Sequence, residues 1–451
     1  MITYYPYFDH IMEEFRHIGG GQGGILQGVI APMVKTPPEP RLRSMTGNMP
    51  HYHKLTFDDP DKNVSYHISG YGLYNEEAFI RFMGESVERY APIVTENIYT
   101  KEAVFDSYAN MKKRGKVLPL EYINLFDEEQ QKRVHELIPE CSGRHVDEND
   151  IISWISCPSL IYPGENIWVP RELMFVGYVK SKDKEEVWTT SSFSTGTAAH
   201  RTMKKALINA LTEYIQIDSF VISWYTARKC KRIEIDDETI LKLLDGVGLG
   251  KDGPYEIIPF YTTLPDLELP TVVVILRRKD DKLPQMVLGL QGDMDIRNAV
   301  LRGIFESTAI INMNIFDSMY DPGKIAYSNL ESPFCDLDTN VLFYGTPGND
   351  KTIDAVLDKL VGETVKLSEF ERKSMTMDEE LEHLLNQVRK VSEYAVYLDI
   401  TPPELAGKDW CVVRTLIPEI CGMCFPGFPY KNHPRLKQYG GVQNEYPHPL
   451  P

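Results

Sequence analysis

At 451 residues, with 42% hydrophobic and 25% charged side chains, the chain has the length and composition of a soluble globular protein with a large core. No stretch approaches the roughly 20 apolar residues of a membrane span. A formal net charge of −17 weighs against a nucleic-acid backbone as the main partner and suits a basic peptide, or a ligand that brings its own metal cations.

The N-terminal "MITYYPYFDHIMEEF" has no basic start followed by an apolar run, so no signal peptide is expected. Seven cysteines, an odd number spread from Cys141 to Cys424, point to reduced thiols in a cytosol. "GGGQGG" (19–24) lacks the lysine and the serine or threonine of a phosphate loop. "KTPPEPRLRSMTGNMP" (35–50) reads as an irregular break after a first helix-like stretch, and His51 and His53 as an exposed pair. "VDENDIIS", near 147, is a second soft region, and "TVVVIL" reads as a buried strand. "YDPGKIAYSNLESPFCD", from 320, reads as a long loop. Leu381, Leu384, Leu385 and Val388 form a helical stripe within 375–390, before the strand-like "YAVYLDIT". Cys421 and Cys424 have CxxC spacing, but no second pair or histidines follow at zinc spacing. Helices and strands alternate, which indicates an α/β or mixed α+β chain.

Three segments repeat one plan: a glycine turn, a short polar stretch, then a helix carrying Ala-x6-Glu. They are "SGYGLYNEEAFIRFMGESVERYA" with Ala78 and Glu85, "STGTAAHRTMKKALINALTEYIQIDSF" with Ala206 and Glu213, and "GLQGDMDIRNAVLRGIFESTA" with Ala299 and Glu306. A seven-residue step returns to nearly the same helix face, so the three segments read as pseudo-symmetric subdomains around a shared centre. Glu85 and Glu88, at i and i+3, project from one face and repel each other. A divalent cation turns that repulsion into attraction, and magnesium takes one or two carboxylates plus phosphate oxygens. Glu213 and Gln216 keep the same spacing with one charge fewer. Converging helices would bring three carboxylates and an amide to a common pocket, which suits a metal-bridged triphosphate. Arg89 follows Glu88 directly, and Arg302 shares the face of Glu306, within reach of phosphate oxygens. Taken singly, each such pair is equally a solvated helix face.

Together these segments resemble the YcaO family over most of the chain. The first motif resembles the family's glycine turn and helix ending in ExxER, and the second its S-x-G-x-A-A turn and helix ending in ExxERD. "IYPGENIWVPRELMF" is similar to the strand pair before the second motif, and "YLDITPPELAGKDWCVVRTLIPEI" to the late DLT…VVR-x-x-P segment. "HPRL…NEYPHPLP" resembles the PxPxP ending of the azoline-forming branch, and "FRHIGGGQGGILQGVIAP" is similar to the stand-alone subunit of streptolysin-S-type cytolysin synthesis.

The resemblance implies a YcaO fold, mixed α+β, as a single domain with a lead-in over 1–60, an ATP-binding core over 61–440 and a proline-rich tail over 441–451. It implies ATP-dependent cyclodehydration of Cys, Ser or Thr residues in a ribosomal precursor peptide, giving thiazolines and oxazolines. Magnesium would be held by Glu85, Glu88, Glu213 and Gln216. ATP would be contacted by Arg89, Ser194, Arg201, Lys205 and Arg302. Pro447, Pro449 and Pro451 would lie at the active site, stiff and extended, with a terminal carboxylate as base or positioning group. The motifs depart from the family at several points. Tyr71 stands where relatives carry the lysine of a GKG turn. Ala198, Arg201 and Lys205 replace small polar, amide or acidic residues, and Gln216 and Ile217 stand where ExxER has its second Glu and its Arg. Fused relatives carry a precursor-binding E1-like domain for which this length leaves no room. A separate E1-like, leader-binding partner is therefore expected, with an FMN-dependent dehydrogenase acting on the azolines. The alternatives are a catalytically weak docking scaffold of the same complex and a thioamide- or amidine-forming relative, against which the PxPxP ending argues. The oligomeric state stays open.

Overall fold

The repeated plan folds as a strand, a tight turn and a long helix, three times. The computed structural model describes residues 39–49 and 67–451, except 179, 181–183 and 328, together with scattered positions before 67. His51, His53 and 21–24 of the glycine cluster lie outside the described residues.

In chain order, β1 (Arg43–Asn48) and β2 (His67–Gly72) pair antiparallel and lead into α1 (Asn75–Tyr99). β3 (Ile151–Pro158) and β4 (Asn166–Pro170) are the inner strands of a four-stranded sheet edged by Val104–Ser107 and Lys116–Val117. β5 (Thr197–His200) leads into α2 (Met203–Tyr225). β6 (Cys230–Glu234), β7 (Tyr255–Tyr261), β8 (Thr271–Arg278) and β9 (Met286–Gly292) form an antiparallel run, and α3 (Ile296–Tyr320) follows. Next come α4 (Thr339–Gly345), β10 (Val361–Lys366), α5 (Met377–Val391), β11 (Val396–Asp399) and β12 (Cys411–Leu416). β10 adds parallel to β6 at the edge of the five-stranded sheet, and β12 lies between β5 and β11 in a three-stranded one.

Each long helix starts where a side chain takes up free N–H groups. Glu77 accepts from the Leu73 N–H at 2.7 Å, Thr202 from the Lys205 N–H at 3.3 Å, and Asp295 from the Arg297 N–H at 3.0 Å. Glycines let two of these helices ride directly on their strands. A Cβ on Gly70 of β2 would meet the Ala78 carbonyl of α1 at 1.9 Å, and one on Gly289 of β9 the Gly303 carbonyl of α3 at 2.2 Å. Each helix also packs on the strand of another copy. α1 lies on β2 and β5, α2 on β5 and β9, and α3 on β9 and β2. The three copies thus close into a ring, with one face of each helix turned to a common centre. Every residue of α2 from Ile217 to Tyr225 is buried, so its second half is the spine of the fold.

Two expectations are corrected. The stretch at 35–50 contains β1, because pairing with β2 in a fixed register outweighs its turn-rich composition. The loop expected from 320 is broken by a short helix, Pro322–Tyr327, which proline at its first position favours. The stripe at 375–390 does form a helix, α5, capped by Thr376 and burying Leu384 and Val388. Among the described residues no helix is long and apolar enough to cross a membrane.

Candidate functional site

The repeat glutamates have one job in common. Glu85 accepts from the Ser69 N–H at 2.8 Å, Glu213 from the Gly196 N–H at 3.1 Å, and Glu306 from the Leu290 N–H at 2.8 Å. Each carboxylate thus ties its helix back to the strand or turn of its own copy. The residue three further on reaches across the ring instead. The Ala199 N–H of β5 faces the Glu88 carboxylate, and Gln216 accepts from the Gly292 N–H of β9 at 2.7 Å. In the third copy the equivalent position is Ala309, which has no polar atom to reach with.

Glu85, Glu88, Glu213, Gln216, Glu306 and Ala309 all line one cavity of about 1490 Å³. Burial pushes the Glu88 carboxyl up to about 8, with Arg89 opposing and Glu213 and Glu85 adding to the rise. Burial likewise lifts Glu213 to about 7, against Arg89, and Glu306 to about 7, with Glu85 adding to it. Glu306 in turn raises Glu213. The four carboxylates therefore repel around a closed circuit. Their accessible surface opens into the cavity and protein walls the rest, which reconciles a 21% exposed Glu88 side chain with so strong a desolvation.

Of the cations expected here, Arg89 lies 3.4 Å from Glu85 and 3.3 Å from Glu88. Arg302 pairs with Asp293 at 3.6 Å, and Lys205 with Glu380 of α5 at 3.5 Å. Arg201 sits over the Trp410 ring at 5.3 Å. With Ser194, all five line the cavity. From the proline segment, Pro451 and Leu450 line it, whereas Pro447 and Pro449 are buried behind its wall.

Sequence reasoning missed several lining residues. Glu306 stood in the repeat but was given no site role. Arg81 lies 4.8 Å from the Tyr71 ring, bringing a cation to the place where Tyr71 replaces a lysine. Its position, ten after Tyr71, carries no motif of its own. The late VVR segment has a structural task. Arg414 donates to the Thr195 carbonyl at 2.8 Å and to Thr197 Oγ1 at 2.9 Å, fixing the turn whose Gly196 N–H holds Glu213. Cys421 and Cys424 are buried thiols, and burial pushes Cys424 up to about 12.

Among the described residues, no three His, Cys, Asp or Glu side chains gather closely enough to hold a metal ion alone. The carboxylates ring a space instead. An ion here takes one or two of them and completes its shell with oxygens from outside the protein, as magnesium does with phosphates. Like charges lifted by burial are the sites such a cation relieves, so the donor set fits Mg2+ carried by a nucleotide.

Comparison with known proteins agrees with this geometry. Residues 69–421 match the family model described as YcaO cyclodehydratase, ATP- and Mg2+-binding. No curated protein sequence matches. A structure solved as a heterocyclase in complex with substrate and cofactor is similar, with TM-score 0.71 and 15% identity over 98% of this chain and 56% of that one. The present chain therefore spans little more than half of that relative. YcaO from Methanopyrus kandleri, bound with AMPPCP and Mg2+, gives TM-score 0.56 and 17% identity over 92% of this chain and 89% of that one. A chain of the E. coli microcin synthetase McbBCD complex with pro-MccB17 bound gives TM-score 0.61 and 12% identity over 95% and 99%. At these identities the likeness is one of fold. With the family model matched across most of its length, and with four carboxylates from three repeated helices around one cavity, the chain belongs to the YcaO cyclodehydratase family, which binds ATP and Mg2+.

Proposed function

We propose that the chain is an ATP-dependent peptide cyclodehydratase of the thiazole/oxazole-forming kind, acting in the cytoplasm on a ribosomal precursor peptide. The substrate's Cys, Ser or Thr side chain adds to the preceding backbone carbonyl. The resulting hemi-orthoamide oxygen takes the γ-phosphoryl group of ATP, with release of ADP. Loss of phosphate together with the amide proton leaves the C=N bond of the azoline ring. An amide oxygen is a poor leaving group and a phosphate a good one, so the protein's work is positioning and charge neutralisation.

The observation that carries this reading is the closed circuit of Glu85, Glu88, Glu213 and Glu306 around the cavity that Pro451 also lines. These carboxylates would hold Mg2+, which when bound offsets phosphate charge. Arg81, Arg89, Arg201 and Arg302, with Ser194 and Lys205, are the groups placed to orient the triphosphate. Gln216 would add an amide rather than a charge. Pro451 places the proline segment beside the reacting peptide. A leader-binding, E1-like protein and an FMN-dependent dehydrogenase complete the proposed assembly. The fold likeness to a chain of a multi-subunit synthetase supports a complex.

Reconstitution with the precursor and leader-binding partner should remove one water per ring, read by mass, only when ATP is supplied. Glu85→Gln should lower that rate by at least about a hundredfold without loss of folding. One observation favours a second reading, a docking scaffold of the same complex. The second motif's Lys205 and Gln216 are engaged by Glu380 and Gly292, inside the protein. Ring formation that persists undiminished in Glu85→Gln would select the scaffold.

A further inference from the structure

Alternating prolines fit a groove that offers hydrogen-bond donors and few acceptors. Proline has no N–H, so Pro447 and Pro449 bury two carbonyl-bearing units with no N–H of their own to satisfy, and the half-buried Pro451 adds none. The groove matches this. Trp224 Nε1 donates to the Tyr446 carbonyl at 3.0 Å, and the Tyr344 hydroxyl to the Pro447 carbonyl at 2.8 Å. Asn340 Nδ2 donates to both the His448 carbonyl, at 2.7 Å, and the Leu450 carbonyl, at 2.8 Å. Two carbonyl neighbours fix the Asn340 amide with its nitrogen toward the segment, and its buried oxygen finds no partner among the described residues. An acceptor left unsatisfied is costly. It persists here because the two donors are what the segment needs. Trp224, Asn340 and Tyr344 are all fully buried, and Trp224 stands on the same helix as Glu213.

We propose that Asn340 and Tyr344 of α4, with Trp224 of α2, are positioning residues that set the register of 446–451 and so the place of Pro451 in the cavity. Four anchored carbonyls within the five residues 446–450 leave no slack to slide, and one of their donors, Trp224, moves with the helix that bears Glu213. This rests on the reading that Pro451 works at the cyclodehydration site.

Four forms of the chain test it: wild type, Tyr344→Phe, which removes one hydroxyl and keeps the ring, a deletion of 447–451, and the two changes together. Asn340→Leu carries the same expectation should Tyr344→Phe misfold. Hydrogen exchange at His448 and Leu450 is followed by mass spectrometry. Water loss from the precursor peptide is followed with the leader-binding partner present. Tyr344→Phe should speed exchange at both amides and lower kcat about tenfold, the worth of one buried hydrogen bond, with KM for ATP and the melting temperature nearly unchanged. In the deletion background it should cost nothing further. A deletion that abolishes ring formation beside a Tyr344→Phe chain that is wild type in exchange and kcat overturns the positioning role and leaves the proposed function standing. A deletion that forms rings at the normal rate overturns the role of the segment itself, and this inference with it.

Discussion

The two halves of α2 treat buried charge in opposite ways. At the end of its first half, Glu213 sits among like charges, with Arg89 and Arg414 as the cations that oppose its rise. In its second half, Asp218 is met by Arg435 with two-pronged geometry at 2.8 Å, and the same guanidinium also binds Asp266 at 2.8 and 3.1 Å. Burial pushes the Asp218 carboxyl up, and Arg435, held charged by both aspartates, pulls it down. One half is completed from within, by a residue 217 positions away. The other is left short of positive charge, as a site must be if a cation from outside is to complete it. Saturated pairing gives a fixed spine, and unsaturated pairing gives a place to bind.

The sharpest way to break that contrast is to remove the saturated pair. Arg435→Met leaves Asp218 buried without its counter-charge, with only the Cys421 N–H bonded to it at 2.8 Å, and should destabilise the chain by about 3–5 kcal/mol, read by urea unfolding. A cost near zero would mean that the Asp218 environment is not the closed one the hydrogen bonds describe. The same change should loosen the whole segment after 435, since Gln443 and Asn444 donate to the Tyr225 carbonyl at 2.7 and 2.9 Å beyond that pair.

Acidity separates the two regions by sign. A carboxyl held above its unfolded value keeps a proton in the folded chain that the unfolded chain has lost. Glu88, Glu213 and Glu306 thus contribute stability below about pH 4.5, and it is lost as pH rises through about 7 to 8. His433 and His448, held down to about 4 by burial, run the other way. Their contribution is present above about pH 6.5 and lost as pH falls toward 4. The metal-free chain should therefore melt at a lower temperature at pH 8.5 than at 6.5, whereas between pH 6.5 and 4.5 the gain from the carboxyls opposes the loss from the two histidines. Mg2+ with AMPPCP should recover several degrees on the alkaline side only. Glu172, raised to about 8 by burial and bonded to Thr189 away from the cavity, supplies an alkaline loss that the nucleotide leaves in place. An alkaline arm indifferent to Mg2+ and AMPPCP would show that the four glutamates do not act as one cation site.

What was legible in the sequence follows the same division. The three repeat helices and their glutamates could be read because glycine turn, cap and Ala-x6-Glu are local patterns, fixed by 3.6 residues per turn. Even so, the copies were read unevenly. Glu306 has a backbone N–H partner as its counterparts do, but three residues on it has Ala309, with neither the carboxylate of Glu88 nor the amide of Gln216, so no paired pattern marked it. The anchoring of the proline segment had no local trace. Asn340 and Tyr344 lie 103 to 110 positions from the carbonyls they bind. Pairings at such distance leave no period in the sequence. The same holds for β12 between β5 and β11, and for β1 inside a stretch whose composition reads as a turn.

The smallest expected effect is the most diagnostic of how far the charge deficit is tuned. Gln216→Glu changes one atom and keeps an oxygen for the Gly292 N–H, so the bond between α2 and β9 survives. It also restores a carboxylate at the position where the first copy has Glu88, one turn from Glu213 on the same helix and in the cavity that Glu306 lines. The metal-free chain should lose stability slightly, by about 0.5–1 kcal/mol from added repulsion. The affinity for Mg2+ at fixed AMPPCP, read by titration calorimetry, should rise about tenfold. Unchanged or weaker Mg2+ binding would assign Gln216 to the ring's mechanics alone, a tie between neighbouring copies. A rise would show that this copy gave up charge while keeping the hydrogen bond, which is the distinction drawn along α2 reduced to a single side chain.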